Sequence, residues 1–226
     1  MSTDVSARAV VDELRSAASA AELEKVRRRL PPDEPALGVR MRSVFDVAKS
    51  ATGLPLDEWE RLVSEPTYEA RMAAFSILDF KARRDLGSPV LRDTYLRHHD
   101  RITAWDMVDR AAPRVVGAAL AGSYDVLHEL ATSTDQLRRR SAITAPLWFT
   151  RHGDEDDVAA GFAIAAVLCA DVEPSVHKAV GIFLAHAGAR DPEALEGFLE
   201  QHSPSMPAAA RRLATRKQPR VQGVRR

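Results

Sequence analysis

Apolar positions recur every third or fourth residue along most of the chain, and strand-like alternation bounded by turn dipeptides is absent, which predicts an all-α protein. Thr3 or Asp4 is placed to cap a first helix reaching about Ala18. Ser19 is placed to cap a second, running through AAELEKVRRRL and stopping at Pro31-Pro32, where the ring removes an amide donor and blocks the helical path. PPDEP reads as a loop. A third helix follows Gly38, has Val39, Phe45, Val47 and Ala48 on its apolar side, and ends near Thr52-Gly53.

From Leu54 the punctuation becomes regular, with helices closed by Gly, Pro, Ser or Asp and reopened within a few residues. The pattern predicts helices over 56–63, 67–84, 89–97, 104–121, 124–131, 135–151, 154–169, 174–187, 192–201 and 207–216. Paired, they form units starting near Leu54, Pro89, Tyr124, Asp154 and Pro192, a repeat of roughly 30 to 40 residues that suits HEAT-like helical hairpins. Stacked hairpins make a curved solenoid whose inner surface is the natural binding face. One domain over 1–216 is expected. The segment 217–226, KQPRVQGVRR, lacks apolar periodicity and is expected to be a disordered basic tail.

One row breaks the pattern. Counting from Trp105, the residues Val108, Asp109, Ala112, Val115, Val116 and Ala119 share one face of a helix, and all but Asp109 are apolar. A carboxylate there must be paired, protonated, or facing a cleft that supplies its partner. Thr103 is available as N-cap, with Asp106 in the place of a capping-box acid, which gives Asp106 a structural explanation. Asp109 has two readings: an ion pair with an Arg of a neighbouring helix, or an active carboxylate at a cleft edge.

Charge changes the picture mainly by its layout. The chain has 32 Lys and Arg against 32 Asp and Glu, yet from Pro204 onward there are seven basic residues and no acid. The body is therefore acidic, and nucleic-acid binding has to rest on local patches rather than bulk charge. Cys169, the single cysteine, sits in the apolar run AIAAVLCA and reads as a small buried hydrophobe, so no thiol chemistry is implied. The N-terminus lacks the pattern of a signal peptide, and no run approaches the roughly 20 apolar residues of a membrane helix. A cytoplasmic monomer is expected.

Arg138, Arg139 and Arg140 form the densest internal basic run, near the start of a helix whose dipole disfavours cations, a placement that suggests external anions. They point about 100° apart, so only one or two can meet any one partner; a solvated face is the alternative. Arg27, Arg28 and Arg29 are interleaved with Glu22 and Glu24 and read as an ordinary salt-bridged face. His177 and His186 point to opposite sides of their helix, and His98 and His99 have no third ligand in view. Without HExxH-like spacing or a phosphate-cradling glycine loop, no metal and no nucleotide cofactor is inferred.

Six stretches together resemble the AlkD-type HEAT-repeat DNA alkylation-repair glycosylases from about Leu37 to Arg216: ALGVR at 36–40, YEARMAAFSILDF at 68–80, TAWDMVD at 103–109, LRRRSAI at 137–143, HKAVGIFL at 177–184 and DPEALEGFL at 191–199. The resemblance implies hydrolysis of the N-glycosidic bond of N3- or N7-alkylated purines in double-stranded DNA, without a cofactor. It implies that Trp105 and Asp109 lie against the deoxyribose of the lesion as the catalytic pair, and that Arg140 binds phosphate. Arg139, Lys178 and Ile182 complete the expected DNA-facing set. The family clamps the backbone and leaves the base in the duplex. Its KAIGW motif ends in a second DNA-facing Trp, where this chain has Ile182; Ala185 and Leu137 replace an Arg and a Trp of the family pattern. The competing readings are a duplex- or lesion-binding protein without turnover and a protein-binding scaffold.

Overall fold

The computed structural model describes residues 6–120 and 122–216, and every regular element among them is helical. The expected caps Thr3 and Asp4 and the tail 217–226 lie outside the described residues. Contacts group the described residues into two compact units, one ending at Ala119 and the other beginning at Leu120. No helix among the described residues is long and apolar enough to cross a membrane.

The first unit contains α1 (Ala7–Ser16), α2 (Ala20–Arg27), α3 (Met41–Ser50), α4 (Leu56–Val63), α5 (Tyr68–Ala82), α6 (Pro89–Arg97) and α7 (Trp105–Val115). Ser6 and Ser19 cap α1 and α2 by accepting from the amides of Ala9 and Glu22, satisfying donors that a helix start leaves orphaned. The helix α5 is the keystone, buried along nearly its whole length, with α3 on one flank and α7 on the other and with α1, α4 and α6 covering it. Trp59 of α4 is wholly buried and donates its indole N–H to the Ala74 carbonyl of α5 at 2.7 Å. At the other end of α5, the buried Glu69 carboxylate accepts from the amides of Leu37, Gly38 and Val39 at 2.8, 2.8 and 3.2 Å, tying α5 to the turn before α3. Gly38 is obligatory in that turn: its φ is +86°, and a Cβ there would lie 2.6 Å from the Ser19 carbonyl and from Leu23.

The second unit contains α8 (Asp125–Ala131), α9 (Gln136–Thr144), α10 (Phe149–His152), α11 (Glu155–Leu168), α12 (Pro174–Arg190), α13 (Pro192–His202) and α14 (Ala208–Ala214). Here the row is α9, α12 and α14, with α8, α11 and α13 packed against it. Each unit thus alternates row helices with covering helices, the arrangement expected of helical-hairpin repeats. The expected helix over 135–151 is interrupted: a 3-10 turn at Ala145–Leu147 separates α9 from α10, and Pro146, which lacks an amide donor, sits inside it. The helix expected over 104–121 gives way to a 3-10 turn at Gly117–Ala119. Asp154 and Asp157 form a reciprocal capping box at the start of α11.

Candidate functional site

The odd row around Asp109 is the margin of α7 rather than its core face. At about 100° per residue, the buried side chains Met107, Val108, Ala111, Ala112 and Val115 form one arc against α5, while Trp105, Asp109 and Pro113 fall on the strip beside it. Trp105 is 44% exposed, a large apolar surface for an indole to keep in water. One turn on, Asp109 is half-buried, and Pro113, a turn further, is too. Pro113 remains inside the helix and, lacking an amide hydrogen, cannot donate to the Asp109 carbonyl four residues back.

The first turn of α7 is fixed by long-range partners. The expected capping box is not formed: Ala104 occupies the N-cap without a side-chain bond. Thr103 instead donates to Glu34 at 2.8 Å, and the same Glu34 carboxylate takes Arg71 at 2.5 Å. Asp106 accepts from the Tyr68 hydroxyl at 2.6 Å, with Arg29 at 3.5 Å, so its role is structural through a different contact. Burial, reinforced by the Asp106 charge and hydrogen bond, holds the Tyr68 hydroxyl protonated well above its ordinary range. These braces set where Trp105 projects.

The opposite margin of α7 carries a group that sequence reasoning missed. Asp79 of α5 is buried and is met by three guanidiniums: Arg83 of its own helix at 3.1 Å, Arg110 of α7 at 2.9 Å, and Arg114, one turn beyond Arg110. Arg110 also lies 4.7 Å from the ring centres of both Phe45 (α3) and Phe80 (α5), and Arg83 lies 4.9 Å from Phe80. The signal in the sequence was slight: an Asp–Arg pair four apart in DFKAR and an Arg–Arg pair four apart in RAAPR.

In the second unit the expected DNA contacts separate into two kinds. Lys178 is exposed and Ile182, one turn later on α12, is half-exposed. Gly181 between them is explained by packing, since a Cβ there would come within 2.7 Å of the Ala210 carbonyl and of Leu213 on α14. Arg140, the expected phosphate ligand, is 1% exposed and donates to the Ser175 carbonyl at the start of α12. Arg139 is also occupied. It pairs with Asp171 through two hydrogen bonds of 2.6 and 3.2 Å and donates to the carbonyls of Ser133 and Thr134, both at 3.0 Å. The apolar environment of this unit's core closes over Arg140 because α9 and α12 pack directly together.

A family model described as DNA alkylation repair enzyme matches residues 10–217. Among solved structures, a predicted DNA alkylation repair enzyme from Enterococcus faecalis is similar in fold, with a TM-score of 0.68 over 90% of this chain and 97% of that one, at 14% identity. No curated protein matches the sequence.

Proposed function

The chain belongs to the DNA alkylation repair enzyme family, and from that premise we propose that it is a glycosylase that hydrolyses the N-glycosidic bond of N3- or N7-alkylated purines in duplex DNA. The observation that carries this reading is the pairing of an indole 44% exposed with a half-buried carboxylate one turn away, Trp105 and Asp109, on a helix start braced from three other segments. An alkylated purine is cationic and leaves with the bonding electron pair as a neutral base, so positive charge develops on the deoxyribose as the bond stretches. The Asp109 carboxylate stabilises that charge and orients the water whose oxygen adds to the anomeric carbon, the released proton passing to solvent. The Trp105 face adds cation–π attraction and shields the sugar.

The test is release of 7-methylguanine from methylated duplex by the purified chain under single-turnover conditions. Asp109→Asn is expected to slow release by roughly two to three orders of magnitude, as for loss of a preorganised electrostatic contact, while retaining duplex binding. Absence of release by the wild-type chain, or release by Asp109→Asn at the wild-type rate, overturns the reading. A second reading, duplex binding without turnover, is favoured by Ile182 standing half-exposed where the resembled family carries a Trp. Lesion-selective, salt-sensitive binding with no base release selects it.

A further inference from the structure

Charge in the second unit is sorted by layer. The row helices α9, α12 and α14 contain no acidic residue, and the covering helices α8, α11 and α13 contain no Lys or Arg. The cover therefore repels a duplex. Within it, α11 departs from the pattern of a helix that faces water. From Val158 to Leu168 it has no charged or polar side chain, and a helix apolar on every side is ordinarily enclosed. Yet at about 100° per residue Ala159, Ala163 and Val167 form one strip, all three are exposed, and Val167 keeps 51% of its surface in water.

That strip runs into a groove of about 670 Å³ between α11 and α13. Its floor is Val158, Phe162 and Ala166 of α11 with Ala194 and Phe198 of α13, and the two phenylalanine ring centres lie 5.9 Å apart. The lining runs from Glu155 to Ala166 on one side and from Asp191 to His202 on the other, each a span of roughly 16 Å, or about three helical turns. Glu155 and Asp156 stand at one end, while Arg190 there gives a hydrogen bond to the Phe149 carbonyl at 2.7 Å. The negative field at this end is felt by Tyr124. The hydrogen bond to Asp157, then burial, then the charges of Asp157, Asp154 and Asp156 hold its hydroxyl protonated well above the ordinary range. Beyond Ala194, the outer lip of the groove is Gly197, followed by Glu193 and Glu200. A Cβ at Gly161, Gly181 or Gly188 would strike a neighbour, but one at Gly197 would meet nothing within 4 Å. Gly197 thus gives up helix stability without a packing reason among the described residues.

We propose that this groove docks a basic amphipathic helix of a partner protein. The groove's length matches a helix that anchors through apolar side chains at i, i+3 or i+4, and i+7. Those anchors lie on the phenylalanine floor and cover the exposed strip of α11. Gly197 leaves room for the partner's backbone to come close, and Glu155, Asp156, Glu193 and Glu200 take its Lys or Arg side chains. The same acids disfavour other occupants. A duplex is repelled, and a second copy set face to face across a two-fold axis would bring acid against acid. The inference uses none of the residues expected to meet DNA and is independent of the glycosylase reading.

The experiment measures binding of fluorescein-labelled synthetic peptides of about 14 residues to the full chain by anisotropy, at roughly 50 and 200 mM salt. One peptide carries leucines at helical spacing with lysines elsewhere, a second has the same composition with that spacing scrambled, and a third has glutamates in place of the lysines. The first is expected to bind at least about tenfold tighter than the other two. Ala159→Glu adds an acid but sets it on the apolar edge, so it is expected to weaken binding about tenfold. Glu155→Gln is expected to weaken it roughly two- to threefold at the lower salt and hardly at all at the higher. Both positions are exposed, and thermal unfolding checks that the variants are folded. Release of 7-methylguanine from methylated duplex should be the same in both variants as in the wild type. Equal binding of the ordered and scrambled peptides, binding of none, tighter binding to Ala159→Glu, or displacement of the peptide by duplex overturns the proposal. So does a wild-type chain that sediments as a dimer while Ala159→Glu sediments as a monomer, because the strip is then a contact between copies.

Discussion

In the second unit, Arg139 directs four of its donor contacts to Asp171 and to the carbonyls of Ser133 and Thr134, and Arg140 is closed between α9 and α12. In the first unit, three arginines share one carboxylate and remain partly open to solvent. The dense arginine run in the sequence is therefore where positive charge is consumed by the fold, and two scattered pairs are where it is displayed. Density along the chain does not predict charge on the surface, because consecutive helical residues point about 100° apart and meet different neighbours. The acceptor supply decides the outcome. Asp171 and the carbonyls of Ser133 and Thr134 before α9 meet the donors of Arg139 nearly one to one, whereas Asp79 is shared by three guanidiniums.

The contrast makes its largest prediction at Arg140. Replacing it by Ala removes the bond to Ser175 and opens a cavity in a closely packed contact, at a cost of about 3 kcal/mol in unfolding free energy. Duplex affinity per folded molecule, and its salt slope, should stay at the wild-type value. Denaturant unfolding and a salt titration check the two halves. A variant of wild-type stability with a slope reduced by one would reverse the roles of the two clusters.

A smaller effect is expected at the Arg139–Asp171 pair, where removing Arg139 leaves a largely buried carboxylate with fewer donors, costing about 2 kcal/mol. Burial pushes the Asp171 carboxyl up, but the Arg139 hydrogen bond, the Glu173 amide and the charges of Arg139 and His177 outweigh it and hold it below the usual carboxylate range. A carboxylate depressed in the folded state stabilises above its unfolded value, near pH 4, and loses that contribution as pH falls through the folded value. Unfolding free energy measured against pH should therefore fall less steeply on the acid side in Asp171→Asn than in the wild type. An unchanged acid limb would show that Asp171 is not what Arg139 stabilises.

Much of the fold was legible because its punctuation is local. The helices over 56–63 and 89–97 begin and end where the prolines, serines and periodicity place them, and Ser19 caps as expected. What local reading lost were contacts made at a distance: Thr103 and Asp106 looked like a capping box, but their partners Glu34 and Tyr68 lie 69 and 38 residues away. The site divides the same way. Asp109 was conspicuous because one helix period frames it. The Arg83–Arg110–Arg114 group was invisible because the residue that gathers it, Asp79, lies on α5 while Arg110 and Arg114 lie on α7.

The smallest expected effect is the sharpest for the comparison, and it lies at Arg83. Its side chain is 48% exposed, and Asp79 keeps Arg110 and Arg114 when it is removed, so Arg83→Gln should change unfolding free energy by less than about 0.5 kcal/mol. Relief of like-charge repulsion on Arg110 and Arg114 acts in the opposite direction to the lost ion pair, which keeps the net change small. Duplex affinity should nonetheless fall by roughly two- to threefold at low salt, the loss expected of one screened contact between an exposed cation and the duplex backbone. The measurement is a titration of a duplex carrying a non-cleavable abasic analogue at two salt concentrations alongside a denaturant curve. Affinity loss without stability loss is the signature of charge held for a ligand. If stability drops by more than about 1 kcal/mol while affinity is unchanged, Arg83 is a structural tie like Arg139, and the two units use their arginines in the same way.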